Sequence, residues 1–225
     1  SSDTETLLVM FERFGIDKTL NLIDGMFAIS LYNKSTNELV LIRDRAGEKP
    51  LYFGLSDSFF IFSSDTKTFL KFKNFDKSIC NEAVEQYLKL NYIKSPLCIY
   101  KNAFKLPPGS YIKINLNKYN FCSNINFSQF INLQSIEFNY WWKLENKINL
   151  TKKSYNYQDT TRKVENLLIS SVKQQQISDV PIGVFLSGGI DSSLITSIMS
   201  SISSEVNTFT IGFEDKIFDE ARYAN

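Results

Sequence analysis

The sequence predicts an α+β first half followed by an α/β second half. Three observations predict it. Two strand-like runs flank a polar turn between Gly25 and Arg45, residues 117–154 lose all sustained period, and helix–strand–helix–strand alternation begins after them. At 225 residues, 43% hydrophobic and 14% aromatic, the chain can bury a core in one large domain or two small ones.

The elements follow in order. Ser2-Asp3-Thr4-Glu5 has capping-box spacing and predicts a helix start. Leu7, Leu8, Met10, Phe11 and Phe14 give that helix an apolar face, and Gly15 can close it. Met26–Tyr32 and Glu38–Arg43 read as a hairpin around Asn33–Asn37. Leu51–Leu55, Phe59–Ser63 and Tyr111–Leu116 read as further strands, the last entered through Pro107-Pro108-Gly109, and helices are expected at Asp65–Phe72 and Asn81–Leu90. Residues 117–154, rich in Asn, Ser and aromatics, read as irregular connection and linker. Then come a helix around Tyr157–Ile177, a buried strand Ile182–Leu186, a helix from about Asp191 to Ser200 and a strand Val206–Phe213. Such alternation implies a parallel sheet, and the expected domains are 1–116 and 155–225 with the linker between.

Composition narrows the chemistry. A net charge of +1 lacks the basic excess of a general nucleic-acid binder. No apolar run approaches 20 residues and no signal peptide is visible, so no membrane partner is expected. Cys80, Cys98 and Cys122 have no metal-ligand spacing and fit thiols in a reducing cytoplasm. The absence of histidine excludes Ser–His and Cys–His nucleophile pairs and His-ligated zinc within these residues.

The sharpest feature is Val184-Phe185-Leu186-Ser187-Gly188-Gly189-Ile190-Asp191-Ser192-Ser193. An apolar strand runs into a small-residue turn that opens a helix. Gly188 and Gly189 can take positive φ, so consecutive amides can converge on one anion. The helix start adds free donors and roughly half a positive charge. Ser187, Ser192 and Ser193 add hydroxyls, and Asp191 beside phosphates suggests an intervening Mg²⁺. A plain strand-to-helix turn is the competing reading, but capping alone does not demand paired glycines flanked by hydroxyls. Neither GxGxxG nor a Walker Gly-Lys-Ser is present.

The segment resembles the SGGxDS pyrophosphate loop shared by asparagine synthetases, argininosuccinate synthetases, NAD synthetases and tRNA-modifying enzymes. That resemblance implies ATP split between its α and β phosphates, with Ser187, Gly188, Gly189, Asp191 and Ser192 on the pyrophosphate. It also sets Leu186 and Ile211 against adenosine; from the residues alone these two read equally well as core. The flanking Asp179–Gly183, Phe209–Glu214 and Asp219–Ala224 look like the asparagine synthetase version. Asp24–Ala28, Arg43–Phe53, Phe62–Lys67 and Pro107–Tyr111 resemble the second half of a class II glutamine amidotransferase, an N-terminal-nucleophile fold. The expected whole is thus the C-terminal part of a glutaminase sandwich followed by the start of a parallel-sheet, adenine-nucleotide-binding domain.

The family implies further roles. Asp3 matches the aspartate that binds the α-amino group of glutamine, though as a residue it reads equally as a helix cap. Arg43–Lys49 alone reads as a solvated, mixed-charge turn; the resemblance puts it near the interface of the two halves. Glu214, Asp219 and Glu220 read either as Mg²⁺ ligands or as solvent-facing. Asp65 stands where the family usually has Glu. Both ends read as cut, since Ser1 replaces Met and Asn225 directly follows a helix start. The family's N-terminal cysteine nucleophile is not among these residues, Ser1 does not occupy its place, and the fragment is expected to be inactive.

The implied activity is glutamine-dependent asparagine synthesis from aspartate and Mg-ATP, with cytoplasmic small-molecule substrates, no nucleic acid, and a homodimer within expectation. A related amidotransferase acting on another carboxylate, and a noncatalytic interaction module with a degenerate site, are the alternatives.

Overall fold

Helix α1 (Asp3–Leu22) begins where the capping spacing puts it, with Ser2 Oγ accepting from the Glu5 N–H at 3.3 Å. Gly15 interrupts it at φ 74°, a conformation cheap only without a Cβ. Gly15 thus closes the first helical stretch as expected. A second stretch runs on to Leu22, tied back by the Thr19 hydroxyl donating to the Met10 carbonyl at 3.0 Å. The computed structural model describes residues 2–148, 156–215 and 219–224, in two units, Ser1–Asn149 and Leu150–Asn225. Ser1, Asn225 and the end of the expected linker lie outside the described residues.

In the first unit the hairpin forms as expected from strands β1 (Ala28–Asn33) and β2 (Glu38–Arg43). A second, smaller sheet contains β3 (Tyr52–Leu55) between β4 (Phe60–Ser63) and β5 (Ala103–Lys105), all antiparallel. The expected helix at Asp65–Phe72 is a 3₁₀ segment, Thr66–Lys71, capped by Asp65 Oδ1 accepting from the Lys67 N–H at 2.9 Å. Helix α2 (Asn81–Leu90) matches its expected span. Strand β6 (Ser110–Asn115) pairs with β2.

Residues 117–154 are not merely irregular. Helix α3 (Phe127–Ile131) forms a full capping box between Asn126 and Gln129. Strand β7 (Ile136–Tyr140) pairs with β6 and completes the sheet order β1-β2-β6-β7. Ile136 and Phe138 pack on the core while Glu137 and Asn139 point away, the alternation of a half-buried strand. The first unit therefore runs well past residue 116.

Alternation along β2 explains the layers. Val40 and Ile42 face α1 with Phe11, Leu20 and Tyr111. Leu41 faces the opposite way, with Ile112 and Ile114, against Phe53, Leu55, Phe104 and the α3 residue Phe130. A helix, a sheet and a second sheet thus stack about β2, in agreement with the glutaminase sandwich expected of this half. Phe53 lies within about ring-stacking reach of Phe60, Phe104, Phe127 and Phe130, with centroids 5.1 to 6.3 Å away.

The Arg43–Lys49 turn is the main departure. Arg43 and Asp44 are 6% and 1% exposed, so the turn is buried at its start, while Ala46, Glu48 and Lys49 are exposed as expected of a solvated turn. Burial pushes the Arg43 guanidinium below its ordinary range, opposed by the Asp44 carboxylate. The chain leaving β7 is stitched to the same place. The Trp141 and Trp142 N–H groups both donate to the Gly109 carbonyl, and Trp141 Nε1 donates to the Arg43 carbonyl at 3.2 Å.

In the second unit, helix α4 (Tyr157–Gln175), strand β8 (Gly183–Phe185), helix α5 (Ile190–Ile202) and strand β9 (Asn207–Phe209) follow in the expected order. Strands β8 and β9 are parallel, with Val184 opposite Thr208. Val184 packs with Val172, Ile198 and Met199, but Phe185 is 76% exposed. The strand expected to be buried is covered on one face only, because α4 and α5 both contribute to the cluster on the Val184 side. A short helix, α6 (Ala221–Ala224), ends the described residues.

Candidate functional site

The loop after β8 is held by its two flanking elements. The Leu186 N–H donates to the Phe209 carbonyl at 2.9 Å, and Thr210 Oγ1 donates to the Leu186 carbonyl at 2.7 Å, extending the parallel pairing past β8. Gly188 takes φ 77°, which turns the chain into α5. Gly189 is the helix N-cap and has no side chain to cap with, while Ser192 Oγ donates to its carbonyl at 3.1 Å. The first-turn amides of a helix have no intrahelical acceptor, and here they face a loop of small residues.

The serines fold inward on this loop. Ser187 Oγ and Ser192 Oγ lie 3.1 Å apart. The Ser187 N–H donates to Ser192 Oγ at 3.3 Å and the Gly189 N–H to Ser187 Oγ at 3.4 Å. These amide contacts are long, and Ser187 and Gly189 are exposed. Two of the loop amides are thus occupied by serine hydroxyls, and Gly188 is half-buried against Tyr223. Asp191 is exposed in the first turn of α5.

Leu186, Ser187, Ser192 and Ile211 line one cleft of about 430 Å³, together with Phe185, Phe209, Thr210, Phe213 and Glu220. The structure thus gathers both expected adenosine-side residues and two loop serines on one cleft. Sequence reasoning missed Thr210, whose position beside Leu186 follows from the parallel register, and Tyr223, whose backbone closes on Gly188. A Cβ on Gly188 would lie 2.8 Å from the Tyr223 carbonyl oxygen, so this glycine is required by space as well as by φ. Neither signal is visible before β8, β9 and α6 are assembled.

Asp3 is at the start of α1, but Ser2 is the cap. The Asp3 carboxylate is exposed and accepts from its neighbour Thr4, through the N–H at 2.7 Å and the hydroxyl at 3.4 Å. Asp219 Oδ1 accepts from the Phe213 and Ala221 N–H groups. Among the described residues no three Cys, Asp or Glu side chains converge as a protein-only metal cage, and no helix is long and apolar enough to cross a membrane.

Comparison with known proteins gives this arrangement its class. Residues 1–124, more than half of the 225, match the glutamine amidotransferase domain family. Residues 163–225, which carry the loop, match the asparagine synthase family. A putative glutamine-hydrolysing asparagine synthetase 2 of Methanocaldococcus jannaschii is 35% identical over 99% of this chain and 40% of its own length. Glutamine-hydrolysing asparagine synthetase 1 of Bacillus subtilis is 30% identical over 99% of this chain and 32% of its own length. The chain belongs to the glutamine amidotransferase domain family, and its last 63 residues match the asparagine synthase family. It spans well under half the length of these relatives. A relative with another name, Amidase chry2 of Gibberella zeae, is 24% identical over 90% of this chain and 27% of its own length. Among solved structures, the glutamine phosphoribosylpyrophosphate amidotransferase of Bacillus subtilis aligns over 97% of this chain and 42% of that one, at 16% identity and a TM-score of 0.40, a likeness too loose to carry a fold argument.

Proposed function

We propose that the full-length protein is an ATP-dependent, glutamine-hydrolysing asparagine synthetase. Glutamine is hydrolysed to glutamate and ammonia on the amino-terminal side. Aspartate is activated by ATP to β-aspartyl-AMP with loss of pyrophosphate, and ammonia displaces AMP to give asparagine. The observation that carries this reading is the order within one chain, a glutamine amidotransferase domain ahead of an asparagine synthase segment bearing Ser187-Gly188-Gly189-Ile190-Asp191-Ser192.

In this reading residues 186–192 form the pyrophosphate loop of a parallel-sheet nucleotide-binding domain. Ser187, Gly188, Gly189, Asp191 and Ser192 hold pyrophosphate, and Leu186 and Ile211 lie against adenosine. Support comes from the cleft that Leu186, Ser187, Ser192 and Ile211 share and from the N-terminus of α5 beside it. Phosphate oxygens would take over the long contacts that the two serine hydroxyls make with the loop amides. Donors fixed before reaction gain value as charge builds on the leaving pyrophosphate. Asp3, free of the capping role, holds the glutamine α-amino group.

Mg²⁺ fits the donors present. It takes one or two carboxylates plus substrate phosphates rather than a protein-only cage, and Asp191 offers one exposed carboxylate at the loop mouth. When bound it neutralises phosphate charge. Cytoplasmic placement rests on three sparse free cysteines.

The test is to incubate the full-length protein with aspartate, glutamine and Mg-ATP. Asparagine, AMP and pyrophosphate in equal amounts are expected. The relative named as an amidase favours carrying a second arm with other carboxylates, and AMP formed only with one of those would move the acceptor away from aspartate. No AMP with any carboxylate overturns the ligase reading.

A further inference from the structure

We propose that Asp219 is a positioning residue for nucleotide binding, holding α6 against the glycine turn of the loop; this rests on reading residues 186–192 as the nucleotide loop. Asp219 Oδ1 accepts from the Phe213 N–H at 3.4 Å and from the Ala221 N–H at 3.2 Å. Phe213 belongs to the segment leaving β9 that lines the cleft with Ile211. Ala221 opens α6, and the Tyr223 N–H donates to the Glu220 carbonyl at 2.9 Å to close that turn. Tyr223 then abuts Gly188, with its carbonyl carbon 2.7 Å from where a Cβ would stand.

One carboxylate oxygen therefore joins the cleft wall to the segment that buttresses the phosphate turn. A helix of four residues cannot hold itself in place, so its position must come from bonds such as these. Gly212 is part of the same joint, since a Cβ there would lie 3.6 Å from Asp219 Oδ1. The bonds also set Glu220 on the cleft. Asp219 acts through α6 and needs no contact with ATP. The rival role, as a cation ligand, predicts different behaviour for its amide isostere, because Asn keeps an oxygen acceptor but loses the charge.

The experiment compares the full-length protein with Asp219→Ala and Asp219→Asn, measuring ATP KM, kcat for AMP formation, Mg²⁺ requirement, glutaminase turnover and melting midpoint. Asp219→Ala is expected to raise ATP KM about tenfold, the scale of losing a good cap, with glutaminase turnover and melting midpoint unchanged. Asp219→Asn should return KM to within about twofold of the parent, and neither variant should change the Mg²⁺ requirement. Asn as deficient as Ala overturns the inference, as does a raised Mg²⁺ requirement, which identifies a cation ligand. A fall in melting midpoint with loss of both activities also overturns it, in favour of general stability. A parent protein that neither binds ATP nor forms AMP sinks the nucleotide-loop reading itself. A parent that does both, matched by Asp219→Ala, sinks only this inference.

Discussion

Arg43 and Asp44 are sequence neighbours, both buried, and each is solvated by peptide groups. The Arg43 guanidinium donates to the carbonyls of Lys49, Leu106 and Gly47 at 3.0, 2.7 and 2.6 Å. The Asp44 carboxylate accepts from the N–H groups of Phe27, Glu48 and Lys49 at 3.3, 2.9 and 2.9 Å. Together they satisfy both kinds of backbone group in the turn between β2 and β3, which a buried loop otherwise leaves unpaired.

Removing the carboxylate should be costly. Asp44→Ala leaves three part-buried amides without their acceptor and a buried guanidinium without its neighbouring charge, so a loss of about 2 kcal/mol is expected. Urea unfolding of the full-length protein reads it, and a loss below about 1 kcal/mol would show that water replaces the carboxylate.

The aromatic core makes a second prediction. Phe53 is fully buried amid four other phenylalanines, and Phe53→Ala should cost about 3–5 kcal/mol by transfer and cavity formation. The same unfolding measurement applies, and Phe53→Leu should recover most of the loss.

At the start of α1 two neighbouring residues should separate. Ser2→Ala removes the cap and should cost about 1 kcal/mol of stability. Asp3→Asn leaves that cap intact, so its expected effect is a raised glutamine KM at unchanged stability. Steady-state glutaminase kinetics decide it; equal KM in parent and variant removes Asp3 from the glutamine site.

Gly188→Ala places a methyl at φ 77° and into Tyr223. ATP affinity should fall at least about tenfold, from strain of about 1–3 kcal/mol in the turn. Calorimetric titration with ATP measures this, with glutaminase turnover as the control that the first unit remains folded.

Alkali should destabilise the protein partly through Tyr119. Burial raises its hydroxyl above the ordinary value of 10.0, with Cys122 adding to the rise. Below about pH 10 both states keep the proton and the contribution is complete. As pH climbs from there toward the folded-state value the unfolded chain ionises first, so stability is lost. Tyr119→Phe should flatten the fall in unfolding free energy above about pH 10 relative to the parent.

Particular residues explain how far the sequence could be read. Ser2, the Asn33–Asn37 turn and the β8–loop–α5 unit rest on local rules, and local chemistry forms them as expected. Strand β7 carried its alternation from Ile136 to Tyr140, but the surrounding Asn and Ser obscured it. The burial of Arg43 and Asp44 was not legible, since their partners at Phe27 and Leu106 are far away in sequence and charge alone argues for water. The exposure of Phe185 was equally hidden, because a strand's own residues do not say how many of its faces are covered.

The Trp141 and Trp142 stitches bear on mechanics. Strand β7 lies at the margin of its sheet, where tension applied from residue 143 onward would unzip the ladder one rung at a time. Such a pull meets the Gly109 carbonyl first, accepting two amides at once, with the indole anchored on the Arg43 carbonyl behind it. Force entering along the chain therefore loads these three hydrogen bonds ahead of the first rung of the strand.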